Sequence, residues 1–243
     1  MPLFVEYPCH PNSGAPRPLT ASDVRVIAGR VRQQIERHDG SYALTTTALL
    51  RACQQVAVNG RGVSVSWDLT KPLHDESGNP VLGICDTDPS EPNCAYVSVN
   101  PDLTVNRPDL ELSTAAHELG HVVFDVPAAL ETSMRRYRAV ASSAATFDRV
   151  VRGPEGRANE FMGALLAPAM AVHTRLLALS RAEGLRMVRA PHVGRPGAPV
   201  VARENDRDAI AGVTAVLADE FGVSERFMAV RLDRYGLIQE RGA

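Results

Sequence analysis

The sequence predicts an α+β fold, and three observations carry that reading. Apolar residues recur at helical spacing near the N-terminus, in the middle and towards the C-terminus. Three short runs between residues 63 and 99 have the alternation and β-branched content of strands. A stretch rich in proline and glycine, 184–203, sets a last helical unit apart.

Residues 1–19 hold five prolines and little periodicity, which predicts an extended arm. Thr20, Ser22 and Asp23 offer caps for a helix over 20–38, with Val24, Ile27, Val31 and Ile35 on one face. A second helix is expected over about 46–58, with Asn59-Gly60 as its stop signal. Val63 to Trp67 alternates like a half-buried strand, and Val81–Cys85 and Ala95–Val99 read as two more, separated by an acidic turn-rich loop. Pro108 and Asp109 open a helix that runs to about Phe124 and ends before Pro127. Residues 128–150 are helical in composition but poorly delimited. Glu155–Leu166 reads as a short helix, and Pro168 starts another to about Ala182. The expected organisation is an arm (1–19), a main domain (20–183), a linker (184–203) and a helical unit (204–243) turning at Gly222-Val223-Ser224.

A chain of 243 residues buries a sizeable core without disulfide or metal staples. The net charge of −2 gives no overall pull towards nucleic acid or an anionic membrane. An acidic segment (68–91) and an arginine-rich one (135–157) read first as solvated faces and second as a surface for a charged partner. No run of about 18–20 apolar residues is present, and the start Met-Pro-Leu-Phe-Val-Glu lacks the form of a signal peptide. Cys9, Cys53, Cys85 and Cys94 are too few and too irregular for a secreted disulfide framework, which suggests reduced thiols and a cytoplasmic setting. Cys85 and Cys94 lack the C-x-x-C spacing of a metal pair.

His117-Glu118-Leu119-Gly120-His121 is an H-E-x-x-H on a predicted helix. Residues four apart share a helical face, so both imidazoles can reach one ion, and zinc takes neutral imidazole nitrogen. Glu118 is placed to act on a metal-activated water as general base. Leu112, Ala115, Leu119, Val122 and Val123 give the helix an apolar back, which an incidental pair of surface histidines does not need. The residues after His121 do not extend the motif to a glycine and a third histidine, so the third ligand must come from elsewhere. Glu155 is the leading candidate, with Asn159 four residues on to hydrogen-bond a ligand histidine. Glu160, Asp125 and His173 are rivals, and the plain alternative for Glu155 is a helix N-terminal carboxylate.

Beyond the motif, the sequence resembles the ImmA/IrrE metallopeptidases. The likeness spans about residues 20–180. It includes Gly62-Val63-Ser64-Val65, Ala95-Tyr96-Val97-Ser98-Val99-Asn100, Leu112 to His121, and above all Glu155-Gly156-Arg157-Ala158-Asn159-Glu160-Phe161 leading to Leu165-Leu166-Ala167-Pro168. A tail with Phe221-Gly222-Val223-Ser224, Arg231-Leu232 and Gly236-Leu237 also matches. The resemblance implies a zincin-like metallopeptidase fold, a small twisted sheet on the H-E-x-x-H helix, with a helix-turn-helix-like C-terminal unit. It implies His117, His121 and Glu155 as zinc ligands, Glu118 as catalytic carboxylate and Asn159 as the polar helix partner. It further implies a protein substrate, a helix-turn-helix repressor, in stress response or mobile-element control. Ala167 stands where the family has methionine, Met162-Gly163 where it has small alanines, and the stretch from His121 to Glu155 is long.

Peptide hydrolysis also needs a group to stabilise the oxyanion. Tyr137, His173 and Arg175 are the candidates. Manganese and iron suit the same ligands as zinc. In the last unit Arg226, Arg231 and Arg234 are offset by Glu225 and Asp233, so packing or substrate docking is favoured over DNA reading by its second helix.

Overall fold

Local chemistry starts the first helix: the Asp23 N–H donates to Thr20 Oγ1 while Asp23 Oδ2 accepts from the Thr20 N–H, a reciprocal cap for α1 (Ala21–Gln34). In a computed structural model of the chain, residues 2–35, 41–132, 137–141, 153–192 and 195–239 are described. They form an α+β structure in two compact units, Met1–Asp39 with Leu44–Leu166, and Gly40–Ala43 with Ala167–Ala243.

The first unit holds a six-stranded mixed sheet in the order β1-β2-β3-β5-β4-β6. The strands are β1 (Leu3–Val5), β2 (Gln55–Val58), β3 (Arg61–Asp68), β4 (Val81–Asp86), β5 (Cys94–Val99) and β6 (Tyr137–Ala141). Two expectations are corrected here. The predicted arm supplies β1, which pairs parallel with β2. The predicted second helix is only α2 (Thr46–Ala52), and Val56 and Val58 alternate buried in β2 instead. Asn59 and Gly60 both have positive φ (49° and 82°), so they make the two-residue turn joining β2 to β3 rather than a helix stop.

A short helix α3 (Pro101–Thr104) leads into α4 (Pro108–Phe124), the centre of this unit. Every residue from Thr114 to Phe124 is buried. Neighbours cover each face of this helix: β4 and β5 lie against it, as do α2 and α6 (Pro154–Leu166). Tyr7 ties the N-terminal segment to its end, donating to the Val123 carbonyl at 2.7 Å. The buried Arg32 of α1 donates to the Leu165 and Leu166 carbonyls at the end of α6. The helical composition of 128–150 resolves into α5 (Val126–Thr132) and β6, with 133–136 and 142–150 outside the described residues.

The second unit begins with α7 (Ala169–Ala182), earlier than the predicted boundary at 184. The predicted linker is instead an antiparallel hairpin of β7 (Met187–His192) and β8 (Arg195–Ala202). Helices α8 (Arg207–Phe221) and α9 (Glu225–Arg234) follow, with Gly222 at φ 65° ending the first, then β9 (Ile238–Gln239) parallel to β8. No single helix among the described residues is long and apolar enough to cross a membrane.

Candidate metal centre

Two helices that touch backbone to backbone position the site. A Cβ on Gly120 of α4 would stand 2.8 Å from the Ala158 Cα of α6, so only glycine allows this approach. Ala158 sits between Glu155 and Asn159, and Gly120 between His117 and His121. The close contact therefore brings both pairs together. The two Nε2 atoms stand 3.1 Å apart. Glu155 Oε2 lies 3.4 Å from His117 Nε2, and Glu155 Oε1 lies 3.4 Å from His121 Nε2. The three side chains offer ligand atoms all within 4.8 Å of one another.

The outer nitrogens decide what the inner ones present. His117 Nδ1 lies 3.1 Å from Asn159 Oδ1, and His121 Nδ1 lies 2.7 Å from Asp125 Oδ2. Both oxygens only accept, so each Nδ1 donates and each neutral imidazole keeps its Nε2 lone pair. Two neutral imidazoles set facing lone pairs beside a carboxylate, which repel; a proton on His121 or a shared metal ion reconciles them. Two nitrogens at about 2.0–2.1 Å from one tetrahedral ion stand roughly 3.3–3.4 Å apart, close to the observed separation. With Glu118 ionised and both imidazoles neutral, as a bound metal requires, three carboxylates (Glu118, Asp125, Glu155) and one guanidinium (Arg157) leave the cluster two charges negative, which a divalent ion balances.

The electrostatics follow from burial: His117 and His121 are buried, while the Glu155 side chain is half-exposed. Burial pushes the His117 pKa down, opposed by its bond to Glu155. Burial works against a charged His121 too, but Asp125, Glu155 and Glu118 outweigh it and raise its pKa to about 9. Burial opposes ionisation of Glu155 as well, yet its bonds to the two histidines hold its pKa below the usual carboxylate range. Glu118 is fully buried, and burial lifts its pKa to about 8. Neither Glu118 oxygen has a hydrogen-bond partner among the described residues. Its carboxylate lies against Gly83 of β4, where a Cβ would come within 2.5 Å of Oε1.

The structure thus brings His117, His121, Glu155 and Asn159 together with Glu118 alongside. The rival ligands have other work. Asp125 bridges His121 and Arg157, whose Nη2 donates to Oδ1 at 2.9 Å, and Glu160 pairs with Arg25 at 2.6 Å. His173 lies on α7 in the second unit, its Nε2 2.8 Å from the Pro199 carbonyl. Arg175, on the same helix, is paired with Glu220 through Nε at 2.8 Å. Tyr137 stands on β6 opposite Asp86, and its side chain lies outside the described residues. The cysteines do not join the metal-competent group found among the described residues.

Two contributors went unassigned in the sequence. Asp125 as the partner of His121 was readable from its place four residues on, on the same helical face. Gly83, which leaves room for Glu118, gives no local signal because its role depends on how the sheet meets α4. Comparison with family models, with curated proteins and with solved structures finds no match to this chain. What stands is a mixed α+β protein with a three-residue group able to hold a metal ion.

Proposed function

We propose that this chain is a zinc-dependent endopeptidase with a zincin-like catalytic unit, akin to the ImmA/IrrE metallopeptidases, acting in the cytoplasm on a regulatory protein. One observation carries the reading: Glu118, a buried carboxylate without a hydrogen-bond partner among the described residues, adjoins a three-ligand group. A purely structural zinc site closes with four protein ligands and needs no base. Three ligands and a neighbouring carboxylate are the makings of an open, catalytic one.

His117, His121 and Glu155 would hold the ion, and Asn159 and Asp125 orient the two imidazoles through Nδ1. Zinc, when bound, polarises a carbonyl and lowers the pKa of a coordinated water to about 7. Its positive charge also favours the ionised form of Glu118. Glu118 then takes a proton from the attacking water and returns it to the departing amine nitrogen. The dry surroundings of its carboxylate strengthen that role, since no donor among the described residues competes for its oxygens.

The substrate proposed from the family resemblance is a helix-turn-helix repressor. Incubating the zinc-loaded chain with such repressors and following cleavage by mass spectrometry tests the reading. Glu118→Gln is expected to keep its zinc and lose activity by about 10²–10⁴-fold, the usual contribution of a general base. Full cleavage by that variant overturns the mechanism.

A further inference from the structure

The segment that composition marks as a linker is a two-stranded ribbon, and its charge is one-sided. From Gly184 to Arg203 the chain carries Arg186, Arg189, Arg195 and Arg203 with His192, and no Asp or Glu. Arg186 and Arg189 are exposed, and the described partner of the Arg189 side chain is the Gly197 carbonyl. Arg195 belongs to β8 at the register of His192. At the ribbon's base the Ala202 N–H donates to the Arg186 carbonyl at 3.0 Å, which puts Arg203 beside Arg186. Arg203, paired with Asp233 at 3.4 Å, in turn lines a cavity of about 680 Å³ with Arg207 of α8 and Arg226 of α9, a cavity shared with Glu225. No ion pair among the described residues involves Arg186, Arg189, Arg207 or Arg226. Arginine therefore runs from the ribbon to the edge of a helix–turn–helix pair within one compact unit.

We propose that the β7–β8 ribbon docks this unit on duplex DNA, its exposed Arg186 and Arg189 on backbone phosphates. The DNA major groove admits a two-stranded β-ribbon, and the guanidinium fork matches phosphate geometry. The outward side of the ribbon sets the exposed Pro199 opposite Arg189. It offers no bulky apolar insert there, which favours a polyanion over a lipid surface. The second helix need not read bases: phosphate contacts alone give binding without sequence preference, with dissociation constants of about 10⁻⁴–10⁻⁶ M at physiological salt. The inference is independent of the metal centre.

Fluorescence anisotropy of the full-length, zinc-loaded chain with a 30-base-pair duplex of random sequence, from 50 to 200 mM NaCl, tests it. Two phosphate contacts predict a slope of log affinity against log salt of about −1.8. Arg186→Gln and Arg189→Gln together are expected to remove that slope, and each singly about 0.9 of it. The single variants carry the test if the double variant melts early. No binding at 50 mM salt, a slope unchanged in the variants, or tighter retention on phosphatidylserine vesicles or polyglutamate than on the duplex overturns the proposal.

Discussion

Glu118 and Glu160 are buried to the same degree, at 0% and 1% exposure, yet the fold treats them differently. Between α1 and α6, Glu160 meets Arg25 at 2.6 Å. Between α4 and β4, Glu118 lies against Gly83, and neither oxygen is hydrogen-bonded among the described residues. The histidines repeat the contrast. His173 gives its ring nitrogen to a backbone carbonyl, while His117 and His121 turn theirs towards each other and Glu155. The group around α4 turns two imidazole nitrogens and a carboxylate on one point and leaves the buried Glu118 beside it without a hydrogen-bond partner among the described residues, which fits work on an ion.

The largest expected effect sets the two kinds of histidine apart. His121→Ala should weaken zinc binding by at least two to three orders of magnitude, beyond the roughly 10–100-fold cost of losing an outer partner. His173→Ala should leave zinc affinity unchanged and cost about 0.5–1.5 kcal/mol of stability for the lost hydrogen bond to the Pro199 carbonyl. Competition with a chromogenic chelator and urea denaturation read the two outcomes. Equal losses of zinc in both variants would erase the distinction.

The second effect is pH dependence. The metal needs neutral His121, whose pKa is raised to about 9, so below that pH a proton must leave before the ion binds. Zinc affinity should therefore rise with pH, by roughly tenfold per unit for one displaced proton, and level off near pH 9. Calorimetric titration in two buffers of different ionisation enthalpy counts the proton. A flat profile from pH 6 to 9 would show that His121 does not carry it.

A smaller effect sharpens the role of the orienting groups. Asn159→Ala and Asp125→Ala, each removing one Nδ1 acceptor, should lower zinc affinity by about 10–100-fold without abolishing it. Cobalt substitution with visible absorption reports whether the coordination changes shape. Wild-type affinity in both variants would assign the pair to packing alone.

The metal helix was fully legible from residues because its signals are local. Proline at its first position and an apolar back fix Pro108–Phe124 within the sequence itself. Glu155 was legible only as a leading candidate, since its meeting with the histidines depends on Gly120 approaching Ala158, a tertiary contact. Asn59-Gly60 is a signal with two meanings; pairing of β2 with β1 and β3 selects the turn. The stretch 184–203 misled because its prolines and glycines outweigh Val188, Val200 and Val201, which pair across the hairpin. The boundary at 184 was late because α7 packs on α8 and β8, a partnership formed after the segment that looked like a linker.

The most direct test of the central claim is zinc content after exhaustive dialysis, measured by plasma mass spectrometry on wild type, Glu118→Gln and a His117→Ala, His121→Ala, Glu155→Ala triple variant. The account predicts one zinc per chain in the first two and essentially none in the third. Metal-free wild type, or zinc retained by the triple variant, would contradict it.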